Sequence, residues 1–430
     1  MRDVYAFVAF FSLWDGDGLR DALSWWGFGA VSLLLLVGGG VLLVQEKARL
    51  RALLRNWHSV PVLAFMAVCI VSVSWSDYPV LTLVGCFIQI GTSVIAIALV
   101  VSAPPRRLVV LFAAMLQVHL ALALLFEIGV ALSPAGEILP LWTNYGPNVP
   151  GAYYWSQGLI FQGGRIQGIV ANANLTCFIA LLALITIVVL WRGRAVRARL
   201  AVPAMLLDLV MMALTRSATV IVASGMVVVA ALIVLGFRRF GRRGRIALGG
   251  VGILALAAAT LGSSRLFEPL LRVLGKGDDF TGRFEIWRLV GTLVKDRPVL
   301  GWGWISYWAP WIDPFNRLVI RDGVQYLQAH NAFLDIQLQL GIPGLLVLVM
   351  LIGSVVYRAL RLAVVPAPYT LLPLLLVVAL LTQALAESRL LIEGNWALLV
   401  MLSVATPMVR FSLPGKESPE QGAHRDMVHN

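Results

Sequence analysis

Apolar runs of about twenty residues recur along almost the whole chain, at 24–44, 58–74, 79–102, 107–132, 168–191, 199–214, 217–237, 246–264, 330–357, 367–386 and 390–410. A helix needs roughly 20 residues to cross the hydrocarbon core of a bilayer. Hydrocarbon offers no partner to an open backbone amide, so each run must close its own hydrogen bonds as a helix. The run 4–14 is shorter, but Asp15, Asp17 and Asp21 bound it on one side. Counting it as a short first helix brings the total to twelve. Only 13% of the residues are charged and 59% are hydrophobic, against about 25% charged in soluble domains. The expected fold is an all-α integral membrane protein of about twelve transmembrane helices.

Charge placement sets the orientation. Every second loop is basic: Lys47, Arg49, Arg51 and Arg55; then Arg106 and Arg107; then Arg192, Arg194, Arg197 and Arg199; then Arg238, Arg239, Arg242, Arg243 and Arg245; then Arg358 and Arg361. Basic loops stay in the cytoplasm, which places both termini there. The net charge of +12 is thus explained by topology, and no nucleic-acid partner is expected. The chain divides into helices one to nine over 1–264 (with an outer loop at 133–167), a large and partly helical extracytoplasmic loop at 265–329, helices ten to twelve over 330–410, and a disordered cytoplasmic tail at 411–430. The start, Met1-Arg2-Asp3, lacks a basic n-region, so no cleaved signal peptide is expected. Cys69, Cys86 and Cys177 lie within apolar runs and read as packing residues.

The loop 265–329 breaks the charge pattern. It carries Arg265, Arg272, Lys276, Arg283, Arg288, Lys295, Arg297, Arg317 and Arg321. Pairing with nearby Asp and Glu accounts for most of these, and an anionic ligand for the rest. Arginine binds phosphate through two parallel bonds. Arg216, in Thr215-Arg216-Ser217, sits at the outer junction of two spans, where it needs a partner or a snorkelling path. Arg283 opens an amphipathic stretch with Phe284, Trp287, Leu289 and Val290; it reads as a ligand-binding residue or as a surface residue paired to Glu285 or Asp279. Arg288 shares that helix and is the weaker candidate. His330, one residue before Asn331 and the next span, is the only histidine expected on the outer face beside the basic loop, and an imidazole can accept a proton near neutral pH. Arg165 either joins a phosphate site or caps its loop, and Asn174 either joins it or staples helices together. Glu127 is expected to pair with an arginine and Asp208 with buried polar groups, while His119 reads as a satisfied buried imidazole. Trp302, Trp304, Tyr307, Trp308 and Trp311 form either a sugar-stacking platform or an interfacial aromatic belt, the belt being preferred. Neither a metal nor a cofactor is expected, because Asp278-Asp279 has no spaced partners.

Between about Arg165 and Gly344 the chain resembles the O-antigen ligase and polymerase superfamily of bacterial cell-surface polysaccharide assembly. The resemblance rests on Arg165 with Gly168 and Asn174, Thr215-Arg216-Ser217, Gly282-Arg283 with Trp287, Arg297-Pro298 with Gly301 and Gly303, and His330-Asn331 with Leu340-Gly341 and Gly344. Where the family usually has an aromatic or histidine and then proline before the asparagine, this chain has Asn172-Ala173. The resemblance implies transfer of a glycan from undecaprenyl diphosphate to an acceptor hydroxyl, with inversion and without a metal, on the outer face of the bacterial inner membrane. Partners would be the lipid-linked donor, an acceptor glycan or glycolipid, and membrane lipids. Carried over by position, Arg216 and Arg283 would stabilise the diphosphate and His330 would position or deprotonate the acceptor. Arg165, Arg288, Asn174, Asn331 and Trp302 would bind substrate. Ser74-Trp75-Ser76 and Glu387 to Asn395 lean towards a polymerase over a ligase that acts on lipid A core. A twelve-helix transporter working through Asp208 and His119 is the alternative from another class, and a non-catalytic assembly scaffold a third.

Overall fold

The computed structural model describes residues 1–143, 146, 148–241, 244, 249–250, 277–321 and 323–411, with 277–281, 321 and 406–411 as backbone only. Most of the expected span 246–264, the loop residues 265–276 and the tail from 412 lie outside the described residues.

The described chain is mostly helical, with almost no strand. The helices are α1 (Arg2–Trp14), α2 (Gly16–Gln45), α3 (Lys47–Leu54), α4 (Val60–Val71), α5 (Pro79–Ser102), α6 (Pro105–Leu132), α7 (Ala173–Arg192), α8 (Ala198–Thr215), α9 (Ala218–Arg239), α10 (Gly277–Asp296), α11 (Phe315–Leu318), α12 (Ala332–Ala363), α13 (Leu372–Ala384) and α14 (Glu393–Phe411). The only sheet among the described residues is a two-stranded antiparallel hairpin, β1 (Ile320–Arg321) with β2 (Val324–Gln325). Among the described residues, eight helical segments are long and apolar enough to cross a membrane: α2, 57–74 around α4, α5, α6, α7, α8, α9 and α12. α13 and the described part of α14 are apolar but shorter.

Sequence rules set several boundaries. Proline opens α5 and α6, where its missing N–H costs nothing. Asn172, Ser217 and Asn331 cap α7, α9 and α12 by accepting from the first free amides. α7 is the central helix, with Cys177, Phe178, Ile179 and Leu182 fully buried. α2, α8 and α9 expose apolar side chains such as Leu34, Leu206 and Val228, as an apolar surface facing lipid would.

The two ends of the bundle differ. At one end the basic turns close on backbone carbonyls: Arg49 Nη1 donates to Val101 O (3.1 Å) and Arg238 Nε to Ala363 O (2.8 Å). The other end carries the long loops and is the site end. There the segment after α10 lies against a break in α12. Gly301 and Gly341 both have positive φ, +68° and +60°. A Cβ on Gly341 would stand 2.0 Å from Val299 O, and one on Gly301 2.6 Å from the Gln339 backbone. Glycine at both positions lets the segments touch, and Trp302 N, Gly303 N and Ile342 N donate to Leu338 O, Gln339 O and Val299 O (3.0, 2.8 and 3.0 Å).

Two expectations are corrected here. Trp304 and Trp308 are neither sugar platform nor belt; both are buried, Trp304 in the bundle core against Phe65 (ring centroids 5.8 Å) and Trp308 in a smaller apolar core with Ile286, Val290 and Phe315. Glu127 pairs with no arginine among the described residues. Its carboxylate accepts from Ser156 Oγ, Gln167 N and Gly168 N (2.8, 2.9 and 2.6 Å), which ties the segment before α7 to α6. Arg283 reaches a more distant carboxylate, described below, while the side chain of Asp279 lies outside the described residues. Asp208 does find a buried amide, Gln117 (2.9 Å), and His119 Nε2 meets Asp15 (3.2 Å).

Candidate active site

The first turns of three helices meet at the site end. In α7 the Asn172 carboxamide accepts from Asn174 N (2.9 Å) and Leu175 N (3.1 Å), which fixes Asn174 in the first turn. In α9 the Ser217 hydroxyl accepts from Val220 N and donates to Asn174 Oδ1 (2.9 Å). In α12 the Asn331 side chain accepts from Phe333 N and Leu334 N (3.0 and 3.1 Å), with His330 immediately before it. His330 has φ +48°, a left-handed conformation that costs a non-glycine residue energy and recurs at functional sites. Helix N-termini carry partial positive charge, so the convergence favours an anion.

Glu387 sits at the centre. It is buried in the turn between α13 and α14. Its Oε1 accepts from Arg283 Nη2 (2.8 Å) and Asn174 Nδ2 (3.2 Å). Its Oε2 faces His330 Nδ1 (2.9 Å) and accepts from Gln328 Nε2 (3.4 Å). Burial by itself would raise the Glu387 carboxyl. The charge and hydrogen bond of His330, then Arg283 and Arg389, outweigh burial and hold it down at about 2. The carboxyl is therefore ionised at neutral pH and accepts from Nδ1 of His330, so in the neutral ring it is Nε2 that can accept a proton.

Arg283 Nη1 also donates to Thr219 Oγ1 (3.3 Å). Arg165 Nε donates to Thr215 O (2.8 Å), and its Nη2 bonds Asn174 Oδ1. Arg165, Asn174, Arg283 and His330 line one cavity of about 590 Å³, together with Glu285, Arg317 and Tyr326. The cavity brings arginine charge and an imidazole together, an arrangement suited to an anionic leaving group and a proton acceptor.

The remaining expected site residues lie differently. Arg216 caps α8 in a left-handed conformation (φ +47°) and is exposed at the same end, outside the residues that line the cavity. Arg288 is exposed on α10, also outside that lining. Asn331 is occupied as a helix cap and donates to Leu385 O (3.3 Å). Trp302 bonds Leu293 O (3.0 Å) beneath the Arg297 guanidinium (4.3 Å) and supports the loop instead of facing the cavity. Glu387 was not among the expected site residues. The signal available was a carboxylate in a short turn between two apolar runs at the site end, where a histidine and an arginine need a counter-charge.

Residues 203–349 match the family model described as O-antigen ligase. The match covers about a third of the chain and supports the superfamily resemblance seen in the motifs. No curated protein matches the chain. The matched segment carries Arg216, Arg283 and His330, whereas Arg165, Asn174 and Glu387 lie outside it. The cavity is thus lined by the matched segment together with Arg165 and Asn174 before it, and Glu387 after it supports His330 and Arg283.

Proposed function

We propose that the protein is a metal-independent, inverting glycosyltransferase that moves a glycan from undecaprenyl diphosphate to an acceptor hydroxyl, extending polysaccharide repeat units. Twelve spans, cytoplasmic basic turns and termini, and an outward-facing site at the bacterial inner membrane complete this reading. The observation that carries it is one cavity at the end of an apolar helix bundle lined by His330 and Arg283, both bonded to the buried Glu387 behind them.

The diphosphate of a lipid carrier lies at membrane-surface depth because its isoprenoid tail is buried. Arg283 and Arg165 meet it in the cavity, and Arg216 meets it at the rim, so positive charge replaces a metal as the bond to the sugar breaks. The acceptor oxygen attacks the anomeric carbon from the opposite face. Its proton passes to Nε2 of His330, and the bonding electron pair leaves with the diphosphate. Glu387 holds the imidazole through Nδ1 and stabilises the imidazolium that forms.

A ligase uses the same chemistry with lipid A core as the acceptor. The polymerase reading is preferred on the segments around Ser74-Trp75-Ser76 and Glu387 to Asn395. The transporter reading would run through Asp208 and His119, and each of these closes on a neighbour within the helices. The experiment is direct: purified protein in lipid vesicles with a lipid-linked oligosaccharide. Elongated lipid-linked product supports a polymerase. Product only when lipid A core is added supports a ligase. Neither product with either acceptor refutes the proposal.

A further inference from the structure

Three guanidinium groups line the cavity, and they are not equivalent. Arg165 is bound to Thr215 and Asn174, and Arg283 to Thr219 and Glu387. Arg317 is exposed and makes no side-chain hydrogen bond or ion pair among the described residues. Its support is nonetheless firm. It stands on α11, whose Phe315 is buried against Trp308 (ring centroids 5.5 Å) and Tyr78 (5.9 Å). The Gln325 amide bonds Asn316 O (2.8 Å), and Tyr326 N bonds Val319 O (3.0 Å). Arg317 is therefore a cation held at a cavity wall by a packed base, with its five donors open.

We propose that Arg317 forms a second anion-binding position in this cavity and takes a phosphate or carboxylate group of the acceptor. The acceptor assignment rests on the transferase reading above. The stretch of wall that carries Arg317 runs through the hairpin to Tyr326, whose ring stands 5.8 Å from that of His330. A molecule held at Arg317 thus lies along the wall that leads to the base. The donor diphosphate belongs to Arg283 and Arg165, which project from α10 and from the segment before α7. Two anionic groups in one cavity need two sets of cations, and a free arginine fork suits either a phosphate or a carboxylate.

Two measurements test this on the full chain in nanodiscs. The first is calorimetric titration with inorganic phosphate and pyrophosphate. Wild type should show two classes of site, Arg317→Ala should lose one, and Arg283→Ala should lose the other. An unchanged isotherm for Arg317→Ala, or no binding by wild type, overturns the proposal. The second is transfer with three acceptors: a diphosphate-linked lipid repeat, a soluble oligosaccharide with a uronic carboxylate, and a neutral oligosaccharide. Arg317→Ala should raise the acceptor KM about tenfold, the loss of one charge-assisted contact, for whichever anionic acceptor the site serves. Donor KM and neutral-acceptor KM should be unchanged, and Arg317→Lys should recover part of the loss. An equal rise for neutral and anionic acceptors, or a rise in donor KM, overturns the assignment. If wild type transfers nothing while the Arg317-dependent isotherm remains, the transferase reading and its acceptor fall, and the anion position stands.

Discussion

Nδ1 of His330 lies 2.9 Å from Oε2 of Glu387, a residue 57 positions further along the chain. A single contact thereby decides which nitrogen of the imidazole is spent on the protein and which faces the cavity. The same carboxylate binds Arg283 at 2.8 Å, so the imidazole and the guanidinium are held from one point.

Replacing His330 by alanine should remove turnover and spare donor binding, since the proposed mechanism assigns the donor's affinity to the arginines. Loss of a general base costs about 10²–10⁴-fold in rate. Rates and donor binding measured on the same preparation check this, and near-normal turnover would make His330 structural.

Glu387→Gln should lower turnover without abolishing donor binding, because a carboxamide cannot stabilise an imidazolium as a carboxylate does. It should also change acid stability. The carboxyl is held down at about 2 from an ordinary value of 4.5. A depressed value means the stabilisation is fully present above the ordinary value and is lost as pH falls from there towards about 2. Melting temperature against pH should therefore fall less steeply across that window in Glu387→Gln than in wild type. Parallel curves would show that the pairing contributes nothing.

Arg283→Ala should lower transfer by about 10²–10³-fold, the scale for removing one transition-state donor. Arg283→Lys should recover little of it, because an ammonium cannot span Thr219, Glu387 and a phosphate together. Full rescue by lysine in the vesicle assay would reduce Arg283 to a simple charge.

Glu127→Ala should destabilise the fold, not the chemistry. It strips the acceptor from two backbone amides and a buried hydroxyl, and each group left unpaired costs about 1–3 kcal/mol. Thermal unfolding should shift down in this variant, with donor KM unchanged in whatever folded protein remains. A wild-type melting temperature would contradict it.

Orientation is open to labelling. Cysteines introduced at exposed positions of 284–320 should react with an impermeant thiol reagent from outside the cell, and those at 239–241 should not. Cys69, Cys86 and Cys177 are buried, which keeps the background low. The reverse pattern would place the cavity on the cytoplasmic side.

The sequence by itself determined the helices of the described apolar runs and many of their ends. Hydrocarbon forces every apolar run into a helix, and proline, asparagine and serine fix boundaries through local bonds of a few residues, as at Pro79, Asn172, Ser217 and Asn331. The candidates Arg165, Asn174, Arg283 and His330 were legible because charge and amide groups are rare beside apolar runs and therefore need a reason. Only the tertiary structure decided how they combine. Arg283 lies 104 residues before Glu387 and Asn174 lies 213 before it, and no periodicity in a one-dimensional pattern encodes a contact between the ends of different helices. Trp304 and Trp308 show the same limit. Alone they read as surface aromatics, and they became core because the loop between α10 and α12 packs onto the bundle through Gly301 and Gly341, burying apolar area that a membrane-surface loop would otherwise expose to water.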